Sequence, residues 1–140
     1  MSATKLLQME FWEGLKTYAS ANGTRVSFSH TPQPKHWFNI SIGTSRCHIA
    51  LTVNTQKGYV GCEVYIRNDK ALFETFYRNK EKIKSTVGAE LEWMELPDAT
   101  ASRILLTKKG NPKDRKQWDE YYSWCVATVK KFNLAFKAYL

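Results

Sequence analysis

Residues 46–67 read RCHIALTVNTQKGYVGCEVYIR and alternate between apolar and polar side chains on both sides of Gln56-Lys57. Because successive side chains of a β-strand point to opposite faces of a sheet, the alternation predicts strands at Arg46–Thr55 and Gly58–Arg67. Only Gln56-Lys57 separates the two segments, so we predict that they form a tight hairpin.

The register of this hairpin follows from arithmetic. A loop at Gln56-Lys57 pairs positions whose numbers sum to 113, and on one face this opposes apolar residues only. These eight residues are Cys47, Ile49, Leu51, Val53, Val60, Cys62, Val64 and Ile66. A slip by one residue would oppose Leu51 to Gly61 and mix the two faces, so we predict the register in which the apolar residues interlock.

Further segments on both sides of the hairpin have strand character. We predict strands at Trp37–Ile42, Leu91–Leu96 and Ser102–Thr107, and a short strand at Arg25–Ser29. Together with the hairpin they indicate an antiparallel sheet of five or six strands.

Apolar residues repeat every three or four positions in three other segments, as they do in amphipathic helices. The first helix begins at Thr4 and closes at Asn22-Gly23, and the second is capped by Asn68-Asp69 and stopped by Gly88. The third is long and carries Trp118, Tyr122, Cys125, Val129, Phe132 and Phe136. We therefore predict an α+β fold in which an N-terminal, a middle and a long C-terminal helix pack on one face of the sheet.

Length and composition indicate a single domain over residues 1–140, because a chain of this size buries about two-thirds of its unfolded surface. No apolar run approaches the ~20 residues of a membrane span. Glu10 and Glu13 interrupt any signal-peptide pattern at the N-terminus, so we expect a cytoplasmic protein with no membrane partner. Three cysteines without a CxxC pair argue against a disulfide framework, and the formal charge of +8 favours polyanionic partners.

The sequence carries no recognisable catalytic or metal-binding motif. The closest metal-like cluster is His30, His36, Cys47 and His48, but the last two are neighbours on a strand and point to opposite faces. There is no GxSxG elbow, and Glu63-Val64-Tyr65 has tyrosine where a nuclease triplet would have lysine. We therefore expect no catalytic residues, no cofactor and no metal. Acid–base chemistry by His48 and Glu63 ranks last among the alternatives.

The polar side of the predicted sheet is the candidate binding face, because aromatic rings lie there among hydrogen-bonding groups. Such a surface can stack bases and contact phosphates. Its residues are Trp37, Asn39, Ser41, Arg46, His48, Thr52, Asn54, Tyr59, Glu63, Tyr65 and Arg103. The same face can instead bind a protein or a second copy of the chain, or be the solvated side of an antiparallel sheet.

A basic segment between the last strand and the last helix is the second candidate. It carries Lys108, Lys109, Lys113, Arg115 and Lys116 against one acid, Asp114. A helix start follows it, where backbone N–H groups favour phosphate, so we predict phosphate contacts here. The alternative is that these charges form a solvated surface.

Several strings of the chain carry a family resemblance. They are MEFWEGLKTYA from Met9, FNISIGTSRCHIALTVNT from Phe38, EVYIRNDKALFETFYRNKEKI from Glu63 and LEWMELPDATASRI from Leu91. Together with the tryptophan-bearing final helix they resemble the uncharacterised prokaryotic family named domain of unknown function 4268, over Met9 to Phe136. In that family the domain often follows a PD-(D/E)xK nuclease-like region. The resemblance thus implies a helper role in nucleic-acid processing or defence, and no catalytic residues to carry over.

These features lead us to expect a non-enzymatic binding or accessory module whose partner is nucleic acid or a nuclease-type protein. The alternative is a protein-interaction or self-association domain, such as a homodimer, without nucleic-acid contact. An uncharacterised hydrolase is the third hypothesis.

Overall fold

The computed structural model describes residues 1–23 and 26–140. Five strands form one antiparallel sheet in the order β1-β2-β3-β5-β4. They are β1 Trp37–Ile40, β2 Cys47–Asn54, β3 Tyr59–Ile66, β4 Glu92–Met94 and β5 Ser102–Lys109. The helices are α1 Ala3–Ala21, α2 Lys70–Arg78, α3 Lys80–Val87 and α4 Trp118–Lys137, with a 3₁₀ turn at Arg115–Gln117 before the last. The predicted α+β architecture is confirmed.

The predicted register of the central hairpin is also confirmed, since Cys47 pairs with Ile66 and Val53 with Val60. The connection, however, is four residues long, 55–58, because the ladder stops at Asn54 and Tyr59. The Asn54 side chain explains the wider turn: its Oδ1 accepts hydrogen bonds from the backbone N–H groups of Gln56 and Lys57, at 3.1 and 2.8 Å.

The second predicted helix is two helices, α2 and α3, with a break at Asn79. Its ends lie where the sequence places them: Asp69 accepts from Leu72 N–H at 3.0 Å, and Gly88 closes α3 with a φ of 79°. At the break, Asn79 Nδ2 donates to the carbonyl of Thr75 at 2.8 Å. Asparagine side chains compete in this way with helical hydrogen bonding, and the residue leaves helical geometry at a ψ of 19°.

Strand ends differ from the predictions in several places. Within the predicted strand Arg25–Ser29, residue 25 lies outside the described residues, and residues 26–29 form no strand. Phe28 instead packs its ring near that of Phe38, with centroids 6.4 Å apart. The last strand extends to Lys109, whereas β1 and β4 are shorter than predicted.

One hydrophobic core lies between the sheet and the helices. The eight apolar hairpin residues are at most 3% exposed and join the buried residues of all four helices. Tyr122 on α4 donates its hydroxyl to the backbone carbonyl of Phe11 on α1 at 2.8 Å, which ties the two terminal helices together. The opposite side of the sheet, called the outer face below, carries the even-numbered residues of β2 and the odd-numbered residues of β3. In the described chain, no helix has both the length and the apolar character needed to cross a bilayer.

Candidate functional site

A pocket of about 510 Å³ opens on the outer face of the sheet. Four strands contribute to it, and the residue before β1 closes one side. The lining residues are His36, Trp37, Asn39, His48, Ala50, Thr52, Glu63, Tyr65 and Arg103. This volume lies within the range of roughly 300–1,000 Å³ that is usual for small-molecule sites.

The floor of the pocket is low because small residues occupy the middle of the sheet. Ala50 on β2 pairs with Asn39 on one side and Glu63 on the other, and Gly61 pairs with Thr52. A side chain on Gly61 would overlap the Thr52 hydroxyl oxygen, so the glycine is what allows Thr52 to lie over β3. Small side chains between large ones turn a sheet face into a pocket.

Aromatic rings form the walls of the pocket. Trp37 is 38% exposed, and its ring meets that of His36 edge-on with centroids 4.7 Å apart. The Lys35 ammonium lies 5.0 Å from the centroid of the Trp37 ring. His48 and Tyr65 are a cross-strand pair on β2 and β3, with ring centroids 5.3 Å apart and planes inclined by 33°. The pocket therefore offers flat apolar surfaces at two sides.

A buried ion pair lies beside these rings. Glu63 is 5% exposed, and its carboxylate oxygens accept from Arg103 Nε at 2.7 Å and Nη2 at 2.9 Å. This bidentate arrangement is the strong form of an arginine–carboxylate contact. The hydrogen bond to Glu63 raises the pKa of Arg103, which therefore stays charged. The pair brings no net charge to the pocket.

The lowered pKa of His48 favours its neutral imidazole. Burial lowers its pKa, the nearby Glu63 raises it less, and His30 lowers it slightly further. The register does bring His48 and Glu63 into one pocket. Each Glu63 oxygen already accepts from Arg103, however, and among the described residues the carboxylate makes no hydrogen bond to His48. This geometry does not favour acid–base chemistry by the two residues.

Asn39 stands out among the lining residues because one of its side-chain atoms is buried without a hydrogen-bond partner. Its Oδ1 is buried without a partner, the one such side-chain atom in the described parts of the chain. The residue opposite on β2 is Ala50, which has no side-chain donor to offer. A buried unpaired acceptor costs about 1–3 kcal/mol.

Four of the predicted face residues lie outside the pocket. Ser41 follows β1, and its hydroxyl oxygen accepts from Gly43 N–H at 3.2 Å. Arg46 pairs with Asp69, the cap of α2, with Nε and Oδ2 2.8 Å apart. Asn54 is committed to the hairpin turn, and Tyr59 lies beside it with its hydroxyl 3.5 Å from Asn54 Nδ2. These side chains belong to the rim of the sheet rather than to the pocket.

Two lining residues, His36 and Ala50, were not predicted for this face. Ala50 had an available signal, because even-numbered residues of β2 point outward and it is the small one between His48 and Thr52. His36 lies before β1, where alternation gives no direction. Its position depends on its backbone carbonyl, which accepts from Val53 N–H at 3.0 Å.

Several charged side chains of the basic segment already have partners within the protein. Lys108 and Lys109 are part of β5, not of a loop, and Lys108 lies 3.6 Å from Glu120. Arg115 pairs with Glu10 at 2.9 Å. At the predicted phosphate position, Asp114 already accepts from Lys116 N–H at 3.2 Å. Within residues 1–23 and 26–140, Lys109, Lys113 and Lys116 are the members of the segment without an ion pair.

The residues with metal-binding side chains do not converge. Cys47 points into the core and His48 outward, as their positions on β2 predicted. Burial raises the pKa of the Cys47 thiol to about 11, so it stays protonated at neutral pH. The described residues contain no group of three His, Cys, Asp or Glu side chains placed to hold an ion.

Comparison with known proteins identifies the family. The model of the family described as "Domain of unknown function (DUF4268)" matches residues 7–140, so the chain belongs to this family, as the sequence strings predicted. No curated protein and no solved structure matches the chain.

Proposed function

We propose that this member of the DUF4268 family is a non-enzymatic module that binds single-stranded nucleic acid and holds a base in the outer-face pocket. The observation that carries the proposal is the pocket itself, in which aromatic walls surround a small-residue floor and the one buried acid is neutralised. The family resemblance implies a nuclease-type partner, so we expect the module to act together with such an enzyme.

Stacking is the interaction that the pocket supports best. Trp37 is an exposed ring at the edge of the pocket. The cross-strand pair of His48 and Tyr65 lies on the other side of Ala50 from Trp37. Base–aromatic stacking contributes about 1–3 kcal/mol per base in proteins that bind single strands, and it needs no particular base because every base has a flat face.

Two cations lie near one end of the pocket, where a phosphate backbone can pass. Lys35 lies over Trp37, and Lys109 is on the outer face opposite Tyr59, two residues along β3 from Gly61. Neither lysine has an ion pair within the described residues, so both can replace the counterions of a nucleic acid.

A single strand is favoured over a duplex because a base can enter the pocket only when it is unstacked and unpaired. Sheet surfaces with exposed rings recognise nucleic acid in this way. The formal charge of +8 adds attraction to either form, and the duplex carries the denser charge, so tighter binding of the single strand indicates a contribution from the pocket.

Fluorescence anisotropy at about 50 mM salt tests the proposal, because phosphate contacts are strongest at low salt. We expect tighter binding of a mixed single strand than of its duplex. Trp37→Ala should weaken single-strand binding by about 5- to 150-fold, the equivalent of one lost stack of 1–3 kcal/mol. Tyr77→Ala is the matched control, since Tyr77 is 43% exposed on α2 and lies away from the pocket.

Absence of binding at this salt concentration would refute the proposal. Light scattering on the same samples examines self-association, which one observation favours: Trp37 is an exposed ring on β1, an edge strand. A dimer in the parent chain that Trp37→Ala converts to monomer, without any oligonucleotide binding, would favour the interaction domain instead.

A further inference from the structure

We infer that Arg103 binds a backbone phosphate of the single strand, next to the base that the pocket holds. This rests on the proposed function and adds to it the residue that contacts the phosphate. The inference starts from the ion pair with Glu63, because both members line the pocket but only one of them is open to a ligand.

The two members of the ion pair are unequally exposed. The side chain of Arg103 is 32% exposed, whereas that of Glu63 is 7% exposed. The pair is neutral as a whole, but a ligand in the pocket lies closer to the positive member, and the interaction between charges decreases with distance. Glu92 on β4 also lies near Arg103, but it is exposed, so solvent screens its charge. This end of the pocket therefore attracts an anion.

The guanidinium has donors that Glu63 does not use. An arginine carries five N–H groups in a planar fork. Glu63 accepts from Nε at 2.7 Å and from Nη2 at 2.9 Å, which occupies one edge of the fork. Within the described residues, the Arg103 side chain makes no other hydrogen bond, so the edge formed by Nη1 and Nη2 is free. Two parallel donors on one edge match two oxygens of a phosphate.

Glu63 also fixes the orientation of the guanidinium. A bidentate contact holds the plane of the fork, and the carboxylate itself is buried in the sheet. A side chain that is already ordered loses less conformational entropy when a ligand binds. The ion pair thus prepares the free edge of Arg103 for a phosphate.

Arg103 lies beside one aromatic wall of the pocket. It pairs with Tyr65 across β3 and β5, and Tyr65 pairs in turn with His48 on β2. Directly opposed residues of an antiparallel sheet have Cβ atoms about 4.5–5.5 Å apart. A base stacked against the His48–Tyr65 wall therefore has its own phosphate within reach of the guanidinium.

A double variant, Glu63→Gln with Arg103→Gln, tests the inference. It removes one charge of each sign, so the formal charge of +8 is unchanged, and the two amides can still form a hydrogen bond. By anisotropy we expect it to bind a mixed single strand about tenfold more weakly than the parent. The plot of log affinity against log salt should also become shallower, by up to about 0.7, because one phosphate contact is lost.

The matched control is Arg46→Gln with Asp69→Asn. This change neutralises an arginine–carboxylate pair outside the pocket, and asparagine can still cap α2. We expect the control to bind with the affinity and the salt dependence of the parent. Urea unfolding of each variant shows whether it is folded.

Arg103→Lys is the second variant, for the case that the double variant does not fold. It keeps the charge beside Glu63, but an ammonium has no edge of two parallel donors, so it should also bind more weakly than the parent. Parent-like affinity in the folded variants, or a weaker affinity of the double variant with an unchanged salt dependence, would overturn the phosphate assignment and leave the single-strand proposal standing. Failure of the parent to bind any single strand would overturn both.

Discussion

The two faces of the β2–β3 hairpin come from one alternating sequence, yet they are buried by different means. On the core face, Leu51 and Val64 are fully buried beneath the helices. On the outer face, Ala50 and Glu63 are each only 5% exposed, although neither belongs to the hydrophobic core. Exposure alone therefore does not distinguish a packing face from a binding face; the neighbours that cause the burial do.

Those neighbours differ in chemistry as well as in position. Apolar helices cover the core face, so its stability depends on close packing. Larger side chains of the sheet itself surround the outer face, and the charged pair of Glu63 and Arg103 lies among them. The following variants separate the two kinds of burial.

The largest expected effect is on the core face. Leu51→Ala should lower the free energy of unfolding by about 2–5 kcal/mol, because it removes a fully buried side chain between Phe38 and Cys62. Urea unfolding followed by tryptophan fluorescence measures the change. Thr52→Ala, the neighbouring substitution on the outer face, should change stability little. Equal losses from the two substitutions would contradict the distinction between the faces.

A smaller loss of stability is expected from a substitution in the ion pair of the outer face. Arg103→Ala should destabilise the protein by about 1–3 kcal/mol, because it leaves the buried Glu63 carboxylate without a partner. Glu63→Gln in the same chain should restore part of the loss by removing the unpaired charge. Arg46→Ala is the control, since its partner Asp69 is reached by solvent and such pairs contribute little. A similar small effect from both arginine variants would mean that solvent reaches Glu63 freely.

The smallest effect concerns the floor of the pocket. Gly61→Ala should cost about 1 kcal/mol, because the new methyl group overlaps the Thr52 hydroxyl. Thr52→Ala removes the overlapping hydroxyl, and the contacts of the methyl group with Thr107 Cγ2 at 3.5 Å and with the Leu106 carbonyl oxygen at 3.6 Å are ordinary. Thermal unfolding of the single and double variants should therefore show a loss that disappears in the pair. A loss that persists would place the clash in the backbone of β5.

Local patterns predicted the strands and helices well where a single physical rule decides. The hairpin register follows from apolar alternation, and the ends of the α2–α3 region follow from the Asp69 cap and the positive φ of Gly88. The break at Asn79 was not predicted, because an asparagine inside a helical pattern turns its side chain back onto the backbone only in some contexts.

The candidate site divides in the same way. Alternation assigned Trp37, His48, Glu63 and Tyr65 to one face, and all four line the pocket. It assigned Arg46 and Asn54 to that face too, but their side chains bind Asp69 and the hairpin turn instead. Alternation gives the side of a strand on which a residue lies, whereas long polar side chains turn toward whichever partner is in reach.

The sequence by itself determined the α+β class, the register of β2 against β3 and the separation of apolar from polar residues on that hairpin. Only the tertiary structure decided that β1 and β5 flank the hairpin, which brings Asn39 and Arg103 to the two sides of the same pocket. The physical reason is distance along the chain. A hairpin joins residues that are close in sequence, so spacing encodes their pairing, but β3 pairs with β5 across two helices and a short strand. The pairing of β3 with β5 therefore depends on how the whole core packs. The same packing makes Asn39, whose Oδ1 is buried without a partner, part of the pocket.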